Sequence, residues 1–442
     1  MSILRLLFLV LSLPSGLLLA QDPMVELRIG PDSSLYHRPL HIEVAQLPPG
    51  QKVIFQLEVL DAKDHRWTAA AHYRADAQGR IDLAQAPSVG GSYLGIHPMG
   101  LFWSLKSNDY HQIATNQGLR ATLRVSADGV QLTQKSFYRR SSRELDVLGI
   151  RGFAKRDSIV ANYYLPKSEQ KLPAIIFLGG SGGNFRQERT SLYASEGFAT
   201  LDLKYFKGEG LPDGIVEIPL EYVRKAHRWL LQQPQIDPHK IGIVGRSRGS
   251  ELAMLYATQY AVDFVIAQVP SNVVWFGWAE GKSSWTFGGI PYAYAEYSAA
   301  DSERLEREMA DRGEQYRDGP KFLSAFQSEE QMVRATIPVE KIKGPLLLIS
   351  GEDDQVWPST MMANRIVQRL VERDFPYEFL HLSYESAGHN FAGGGQGCGI
   401  PYLPAEDYSN SSARGGTDRG NALAAADSWQ QILRFIHRHL AD

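Results

Sequence analysis

The stretch KIGIVGRSRGSELAMLYA, residues 240–257, decides the fold because it joins an apolar strand pattern directly to a helical pattern. Between the two lies a Gly-x-Ser-x-Gly motif, with Ser247 at its centre and Gly245 and Gly249 on either side. A serine in a sharp strand-to-helix turn is the nucleophile elbow of α/β-hydrolases, and such a turn excludes bulky side chains two residues before and after it. The sequence therefore predicts Ser247 as a nucleophile. The alternative is an idle serine in a glycine-bracketed turn.

The segments around this stretch repeat the alternation of strand and helix. Buried strands are predicted in PAIIFLGG, GFATLDLKYF, FVIAQVP and GPLLLISGEDD, and helices in PLEYVRKAHRWLLQQP and ALAAADSWQQILRFIHRHL. Alternating elements predict a doubly wound, mostly parallel sheet. Together with the nucleophile elbow, this sheet indicates an α/β-hydrolase catalytic domain over residues 143–442. The final helix is expected to turn five side chains inward: Leu423, Ala426, Trp429, Leu433 and Ile436.

The region before residue 143 has a different pattern. Short runs of alternating apolar and polar residues, separated by Pro, Gly and Asp turns, predict an antiparallel β-sandwich domain over residues 21–142. Nothing in this region groups a nucleophile with a base and an acid, so we expect it to serve as a packing or gating module.

The first twenty residues predict a secretory signal peptide. Arg5 precedes an apolar run over residues 6–19, and Ala20 is a small residue suited to cleavage. The alternative is an uncleaved membrane anchor, for which the run is short. We expect an exported protein, periplasmic or secreted, without a stable membrane span after cleavage.

Composition excludes several classes of function. Lys plus Arg (46) nearly balance Asp plus Glu (49), so no overall field favours nucleic acid. A single cysteine, Cys398, allows neither an internal disulfide nor a cysteine-based metal site. The sequence contains no H-E-x-x-H motif and no phosphate-binding P-loop, so we expect no metal and no cofactor. The oligomeric state is not indicated.

A nucleophilic serine needs a base and an orienting acid, which follow it in this fold in the order Ser, acid, His. Of the histidines after Ser247, only His389 occupies a loop just after a strand, in ESAGHNF. The acid is expected in LLLISGEDDQVWP, where the G-x-x-D spacing favours Asp354 and leaves Asp353 as the rival. The alternatives are a surface histidine and two solvated turn carboxylates.

The oxyanion hole is expected to use two backbone N–H groups. One belongs to Arg248, directly after the nucleophile. The other belongs to Gly180 or Ser181 in LGGSGG, which lacks the G-x-G-x-x-G pattern of a dinucleotide loop. A loop that serves packing alone is the alternative.

Two further features have competing interpretations. The aromatic segment, residues 273–299, either lines a cap above the site or folds into the core. It carries Trp275, Phe276, Trp278, Trp285, Phe287, Tyr292, Tyr294 and Tyr297. The Arg246 and Arg248 side chains either attract an anionic substrate group or pair with Glu251 or another nearby acid.

Several motifs together carry a resemblance to a known family. GGSYLGIHPMGLFWSLK, GGSGGNFRQERTSLYASEGFATLDLKYF, GEDDQVW, AGHNF followed by IPYLP, and GGTDRGNALAAADSWQQILRFIHRHL resemble the acyl-CoA thioesterase and bile acid-CoA:amino acid N-acyltransferase family. The resemblance covers nearly everything after the signal peptide. It implies an immunoglobulin-like first domain and an α/β-hydrolase domain that converts fatty acyl-CoA and water to fatty acid and CoA. By position, the implied nucleophile, base and acid are Ser247, His389 and Asp354.

Two departures from the family pattern affect the expected substrate. Acyltransferase members carry Cys as nucleophile, so Ser247 favours hydrolysis over transfer to an amine or alcohol. The export signal separates the enzyme from intracellular acyl-CoA, so an exported carboxylesterase acting on a non-CoA ester is an alternative. A catalytically silent binding module, with the sandwich recognising a glycan or protein, is the third hypothesis.

Overall fold

The computed structural model describes residues 24–142, 159–185, 187–391, 400–404 and 413–440. The expected signal peptide, Cys398 and the start of the predicted catalytic domain lie outside the described residues.

The N-terminal part consists of two sheets that enclose one core. Its elements are β1 (Glu26–Gly30), β2 (Ser33–Leu35), β3 (His41–Ala45), β4 (Lys52–Leu60), β5 (Arg66–Arg74), β6 (Ile81–Asp82), β7 (Gly90–Gly91), helix α1 (Gly100–Trp103), β8 (Leu119–Ala127) and β9 (Val130–Arg140). A three-stranded antiparallel sheet has the order β1-β3-β6, and a six-stranded sheet has the order β2-β9-β8-β4-β5-β7, in which only β2 pairs in parallel. Alternate residues of β4, such as Phe55 and Leu57, are buried with Ile42 and Val44 of the smaller sheet. This is the β-sandwich that the alternating pattern predicts.

The C-terminal part is built on a seven-stranded sheet. Its elements are β10 (Val160–Tyr164), β11 (Leu172–Leu178), α2 (Gln187–Ser195), β12 (Ala199–Lys204), β13 (Ile218–Pro219), α3 (Leu220–Leu231), β14 (Ile236–Arg246), α4 (Arg248–Gln259), β15 (Val265–Gln268), β18 (Leu346–Gly351), α8 (Ser359–Glu372), β19 (Phe379–Tyr384) and α9 (Asp418–Leu440). The strand order is β10-β12-β11-β14-β15-β18-β19, and every neighbouring pair is parallel except β10 with β12. The sheet and its crossover helices are the α/β-hydrolase arrangement.

A long insertion separates β15 from β18. It contains β16 (Trp285–Phe287), β17 (Ile290–Pro291), α5 (Ala299–Asp311), α6 (Gly319–Ala325), α7 (Glu329–Ala335) and a 3-10 helix (Val339–Lys341), and β16 pairs with β13. The charged sequence of α5 leaves most of that helix in solvent, since Met309 is its one buried residue.

Helices cover both faces of the large sheet, as a doubly wound fold requires. Ile175 and Phe177 of β11 share a core with α2 and α9, whereas Ile176 and Leu178 share one with α3, α4 and α8. The first of these cores is continuous with the core of the sandwich. The two parts of the chain are therefore packed through a shared apolar layer around α9.

The predicted inward face of α9 is partly wrong. Leu423 is 40% exposed, and the buried face runs instead through Ala422, Ala425, Trp429, Ile432 and Ile436. The alanine-rich first turns place small apolar residues all around the helix, so the pattern alone does not determine which side faces the core. No helix within the described ranges combines the length and the apolar character needed to cross a bilayer.

Candidate active site

Ser247 lies in the turn between β14 and α4. Its backbone has φ 54° and ψ −124°, a conformation that non-glycine residues rarely adopt and that is held by surrounding structure. A Cβ on Gly245 would lie 2.2 Å from the Gly249 carbonyl oxygen, and a Cβ on Gly249 would lie 2.3 Å from the Leu178 carbonyl oxygen. Both glycines are therefore required by close backbone contact, as the sequence pattern predicts.

The structure brings the three predicted catalytic side chains into one hydrogen-bonded line. The Ser247 Oγ lies 3.1 Å from His389 Nε2, and His389 Nδ1 lies 2.8 Å from Asp354 Oδ2. Ser247 and His389 are almost fully buried, and the Asp354 side chain is 1% exposed. This geometry is what a nucleophile, a base and an orienting acid require.

The two rival carboxylates have different partners. Both oxygens of Asp354 lie within hydrogen-bond distance of His389 Nδ1, Oδ2 at 2.8 Å and Oδ1 at 3.0 Å. Oδ1 also accepts hydrogen bonds from the backbone N–H groups of Val356 (3.0 Å) and Trp357 (3.2 Å). Asp353 is exposed, and its Oδ2 accepts the Gly416 N–H at 2.7 Å. Asp354 is thus the carboxylate that contacts the imidazole, and Asp353 caps a neighbouring loop.

His389 is held from several sides. Its backbone N–H donates to the Arg414 carbonyl (2.7 Å), its own carbonyl accepts from Arg246 Nη2 (2.9 Å), and the Trp357 ring packs edge-on at 5.9 Å. Burial lowers the pKa of His389 below its ordinary value, with Arg246 and Arg414 acting in the same direction and Asp354 opposing them. The imidazole is therefore neutral at pH 7, which is the form a general base needs.

The predicted oxyanion residues lie around Ser247, but not equally near. A Cβ on Gly180 would lie 3.1 Å from the Ser247 Cβ, so the Gly180 backbone passes directly over the serine. Ser181 is exposed in the following turn. Arg248 is the first residue of α4, where helix N–H groups have no acceptor within the helix. Gly180 and Arg248 therefore both lie beside Ser247, and the use of backbone N–H groups there as oxyanion donors stays a prediction.

Both arginine side chains beside Ser247 contact other groups of the protein. Arg248 Nη1 forms a buried ion pair with Glu251 Oε1 at 2.9 Å, and Arg246 donates to the carbonyl of His389 and to Asn390 Oδ1. The interpretation as an internal pair is right for Arg248, and Arg246 supports the histidine loop.

The aromatic segment is divided between core and surface. Trp275 and Trp285 are fully buried, whereas Trp278 is 45% exposed and packs on Phe206. The Trp275 ring contacts Phe322 of α6 at 4.7 Å, edge to face. Two of its indoles therefore belong to the core, one lies at the surface, and the remaining aromatic side chains are partly buried.

Sequence reasoning did not predict the contacts that support the site. Trp357, Arg246 and Asn421 all contact the histidine loop, the last by accepting the Gly388 N–H at 2.8 Å. They come from three separate segments, and no local pattern signals their meeting. In the part of the chain that the structure describes, no three histidine, cysteine or acidic side chains come together as a metal site.

Comparisons with curated proteins find relatives along most of the chain. The chain is 29% identical over 435 residues to acyl-coenzyme A amino acid N-acyltransferase 1 of Mus musculus, covering 94% of this chain and 98% of that protein. It is also 29% identical to acyl-coenzyme A thioesterase 3 of Mus musculus, with 92% of both chains covered. Among solved structures, the α/β hydrolase MGS-M1 from a Medee basin deep-sea metagenome library matches with a TM-score of 0.40 and 16% identity, over 67% of this chain and 98% of its own.

Family models match both parts of the sequence. The model described as acyl-CoA thioester hydrolase/BAAT N-terminal region matches residues 37–144. The model described as BAAT / acyl-CoA thioester hydrolase C terminal matches residues 218–442, which is more than half of the chain and contains the Ser247, Asp354 and His389 side chains. The chain belongs to the acyl-CoA thioester hydrolase/BAAT family.

Proposed function

We propose that this protein is a serine hydrolase that cleaves acyl thioesters, with acyl-CoA as the substrate class. One observation carries the proposal: the hydrogen-bonded line from Asp354 through His389 to Ser247, in a member of a family whose relatives include acyl-CoA thioesterases. The strained elbow is the second support, because strain of this kind is retained where a side chain must be presented to a reactant.

The mechanism follows from the positions of the atoms. His389 Nε2 takes the proton of Ser247 Oγ as the oxygen attacks the acyl carbonyl carbon, while Asp354 stabilises the imidazolium that forms. The C–S bond then breaks and the thiol leaves with the proton from His389. Water attacks the acyl-serine, again giving a proton to His389, which returns it to Ser247 as the carboxylic acid is released.

The tetrahedral intermediates require donors for the negative oxygen. We assign this role to the Arg248 N–H and to the N–H of Gly180 or Ser181. The assignment is supported by the place of Arg248 at the start of α4 and by the passage of Gly180 over Ser247.

Transfer of the acyl group to an amine is the second candidate function. It is favoured by the similarity to an acyl-coenzyme A amino acid N-acyltransferase at the same identity as the thioesterase. The presence of serine as nucleophile, where acyltransferases of the resembling family carry cysteine, favours water as the acceptor.

We also infer that the protein is exported, on the basis of the signal-like residues 1–20. The proposal therefore includes, as an alternative substrate, a non-CoA ester or thioester outside the cytoplasm.

A substrate panel tests the proposal. The protein is assayed with acyl-CoAs, nitrophenyl esters and acyl amides, with Ser247→Ala as the control, and parallel reactions contain an amino acid acceptor. We expect turnover of thioesters and esters, slow turnover of amides, and free acid as the product. Amide turnover above both other classes would overturn the substrate assignment, and conjugated product in place of free acid would favour the acyltransferase.

A further inference from the structure

A buried carboxylate lies one helical turn after the proposed nucleophile and takes no part in the proton transfers above. Glu251 of α4 is fully buried. Its Oε1 lies 2.9 Å from Arg248 Nη1, and its Oε2 accepts the Trp285 indole N–H at 3.0 Å and the Trp275 backbone N–H at 3.2 Å. One side chain thus joins α4 to two points of the aromatic segment.

The Arg248 side chain makes the same connection from the other direction. Its Nη2 donates to the Phe276 carbonyl at 2.9 Å and to the Ser284 hydroxyl, and its guanidinium lies 5.9 Å from the centre of the Trp285 ring. The backbone N–H of this residue is a proposed oxyanion donor, so the residue that carries the donor is fastened by its side chain to the aromatic segment.

Stability alone does not account for a pair in this place. Removing two charges from water costs several kcal/mol per ion, and apolar replacements of buried pairs are often as stable as the pair itself. We infer that Arg248 and Glu251 form a positioning pair that holds the first turn of α4 against the aromatic segment and thereby fixes the Arg248 N–H for the oxyanion. The inference rests on the proposed role of Ser247 as nucleophile.

The protonation of Glu251 gives this pair a distinct pH dependence. Burial raises the pKa of Glu251 to about 7, against the lowering effect of Arg248 and of the Trp285 and Trp275 N–H donors. Above that pH the carboxylate is charged and the pair is complete. As the pH falls through about 7 the carboxyl becomes neutral, Arg248 loses its counter-ion, and the pair weakens.

Other titrating groups act elsewhere in the pH range. The remaining ionisable side chains that act on Arg248 are Tyr205 and Tyr297, phenols rather than carboxylates or imidazoles. The pKa of His389 is lowered by burial, so the loss of the base occurs at a lower pH than the loss of the pair. We therefore expect Glu251 to set the acid limb of the pH profile of kcat, that is, the fall in kcat as the pH decreases, in the unaltered protein.

Two variants move this limb in opposite directions. Glu251→Gln removes the titrating group, so the acid limb of the kcat profile shifts to lower pH, down to the pKa of His389. We expect kcat at the plateau to fall about tenfold to a hundredfold, because loosening one oxyanion donor costs somewhat less than deleting it, and KM to change less than about threefold. Trp285→Phe removes an N–H donor to the charged carboxylate, which raises the Glu251 pKa further and shifts the limb upward.

Asp61→Asn is the matched control. Asp61 is a buried carboxylate of the sandwich that likewise accepts an indole N–H, from Trp67 at 3.1 Å, and a backbone N–H, from Ala114 at 2.9 Å. Its substitution is expected to lower the melting temperature while leaving the plateau of kcat and the acid limb in place.

The experiment measures kcat and KM against pH for the four proteins, together with the rate at which a fluorophosphonate reacts with Ser247, which does not depend on the acyl substrate. If the acid limb of the pH profile of kcat is unchanged in both Glu251→Gln and Trp285→Phe, the inference is overturned, while the hydrolase proposal stays intact. Should Glu251→Gln fail to fold, the direction of the shift in Trp285→Phe decides. If the protein reacts with the fluorophosphonate but does not hydrolyse acyl-CoA, the proposed substrate class is refuted. The pH dependence of the fluorophosphonate reaction would then still test the role of the Arg248–Glu251 pair.

Discussion

Replacing Asp354 by Asn tests the acid of the proposed catalytic line, and the structure determines how the new amide is oriented. Oδ1 of Asp354 accepts two backbone N–H groups, from Val356 and Trp357, so the amide oxygen of the Asn stays at that position. The NH₂ group then replaces Oδ2, the atom 2.8 Å from His389 Nδ1. Oδ1 also lies 3.0 Å from Nδ1, but it is already shared by two backbone N–H groups, so the nearer NH₂ group favours an Nδ1 that accepts, which leaves the proton on Nε2.

The consequence is a histidine in the wrong tautomer. With Nε2 protonated, the atom 3.1 Å from Ser247 Oγ donates a hydrogen bond and cannot take the serine proton. The corresponding aspartate-to-asparagine substitution in a serine protease lowers kcat by roughly 10⁴, which corresponds to about 5 kcal/mol in the activation free energy. We expect a loss of that order, with KM changed by a small factor.

The assay follows release of the free thiol from an acyl-CoA, or of nitrophenol from an ester, for the two aspartate variants. Asp353→Asn is the matched control: it alters an exposed side chain that caps the Gly416 N–H, and we expect less than about a threefold change in kcat. A kcat of Asp354→Asn within about tenfold of the unaltered protein would refute the reasoning. A larger loss in Asp353→Asn than in Asp354→Asn would transfer the acid role to Asp353.

Four further substitutions test the elbow and its surroundings. Ser247→Ala should abolish hydrolysis while shifting the melting temperature by no more than a few degrees, and His389→Ala should cost nearly as much activity, because such residues act as a unit. Gly180→Ala would place a methyl group 3.1 Å from the Ser247 Cβ, so we expect kcat to fall by roughly a hundredfold in a protein that still folds, as measured by kinetics and circular dichroism. Gly249→Ala would place a methyl group 2.3 Å from the Leu178 carbonyl oxygen, and the backbone would have to move to remove this clash. We expect urea titration to show that the free energy of unfolding is lowered by about 3 kcal/mol or more.

The sequence was sufficient to predict the fold and the meeting of Ser247, His389 and Asp354, because the order of strands and helices and the residues at strand ends can be read locally. The catalytic roles of these residues stay predictions. The elbow is one continuous segment, and His389 is the histidine that follows Ser247 in a loop after a strand. The G-x-x-D spacing favours Asp354 over Asp353, and the contact with the imidazole is made by Asp354.

The supporting contacts were beyond the reach of the sequence for a physical reason. Glu251 accepts from Trp285, which is 34 residues away, and Arg246 donates to the carbonyl of His389, 143 residues away. Such pairs are selected by tertiary packing, and neither partner has a local signature. The face of α9 was mispredicted for the related reason that alanines fit either side of a helix.

The most direct test of the proposed function combines modification of the nucleophile with turnover of the substrate. The folded protein is titrated with a fluorophosphonate, the modified residue is located by mass spectrometry, and acyl-CoA hydrolysis is measured at each degree of modification. We predict that the phosphonyl group is found on Ser247 and that acyl-CoA hydrolysis declines in direct proportion to its occupancy. Full modification of Ser247 with acyl-CoA hydrolysis retained would contradict the assignment of Ser247 as the nucleophile.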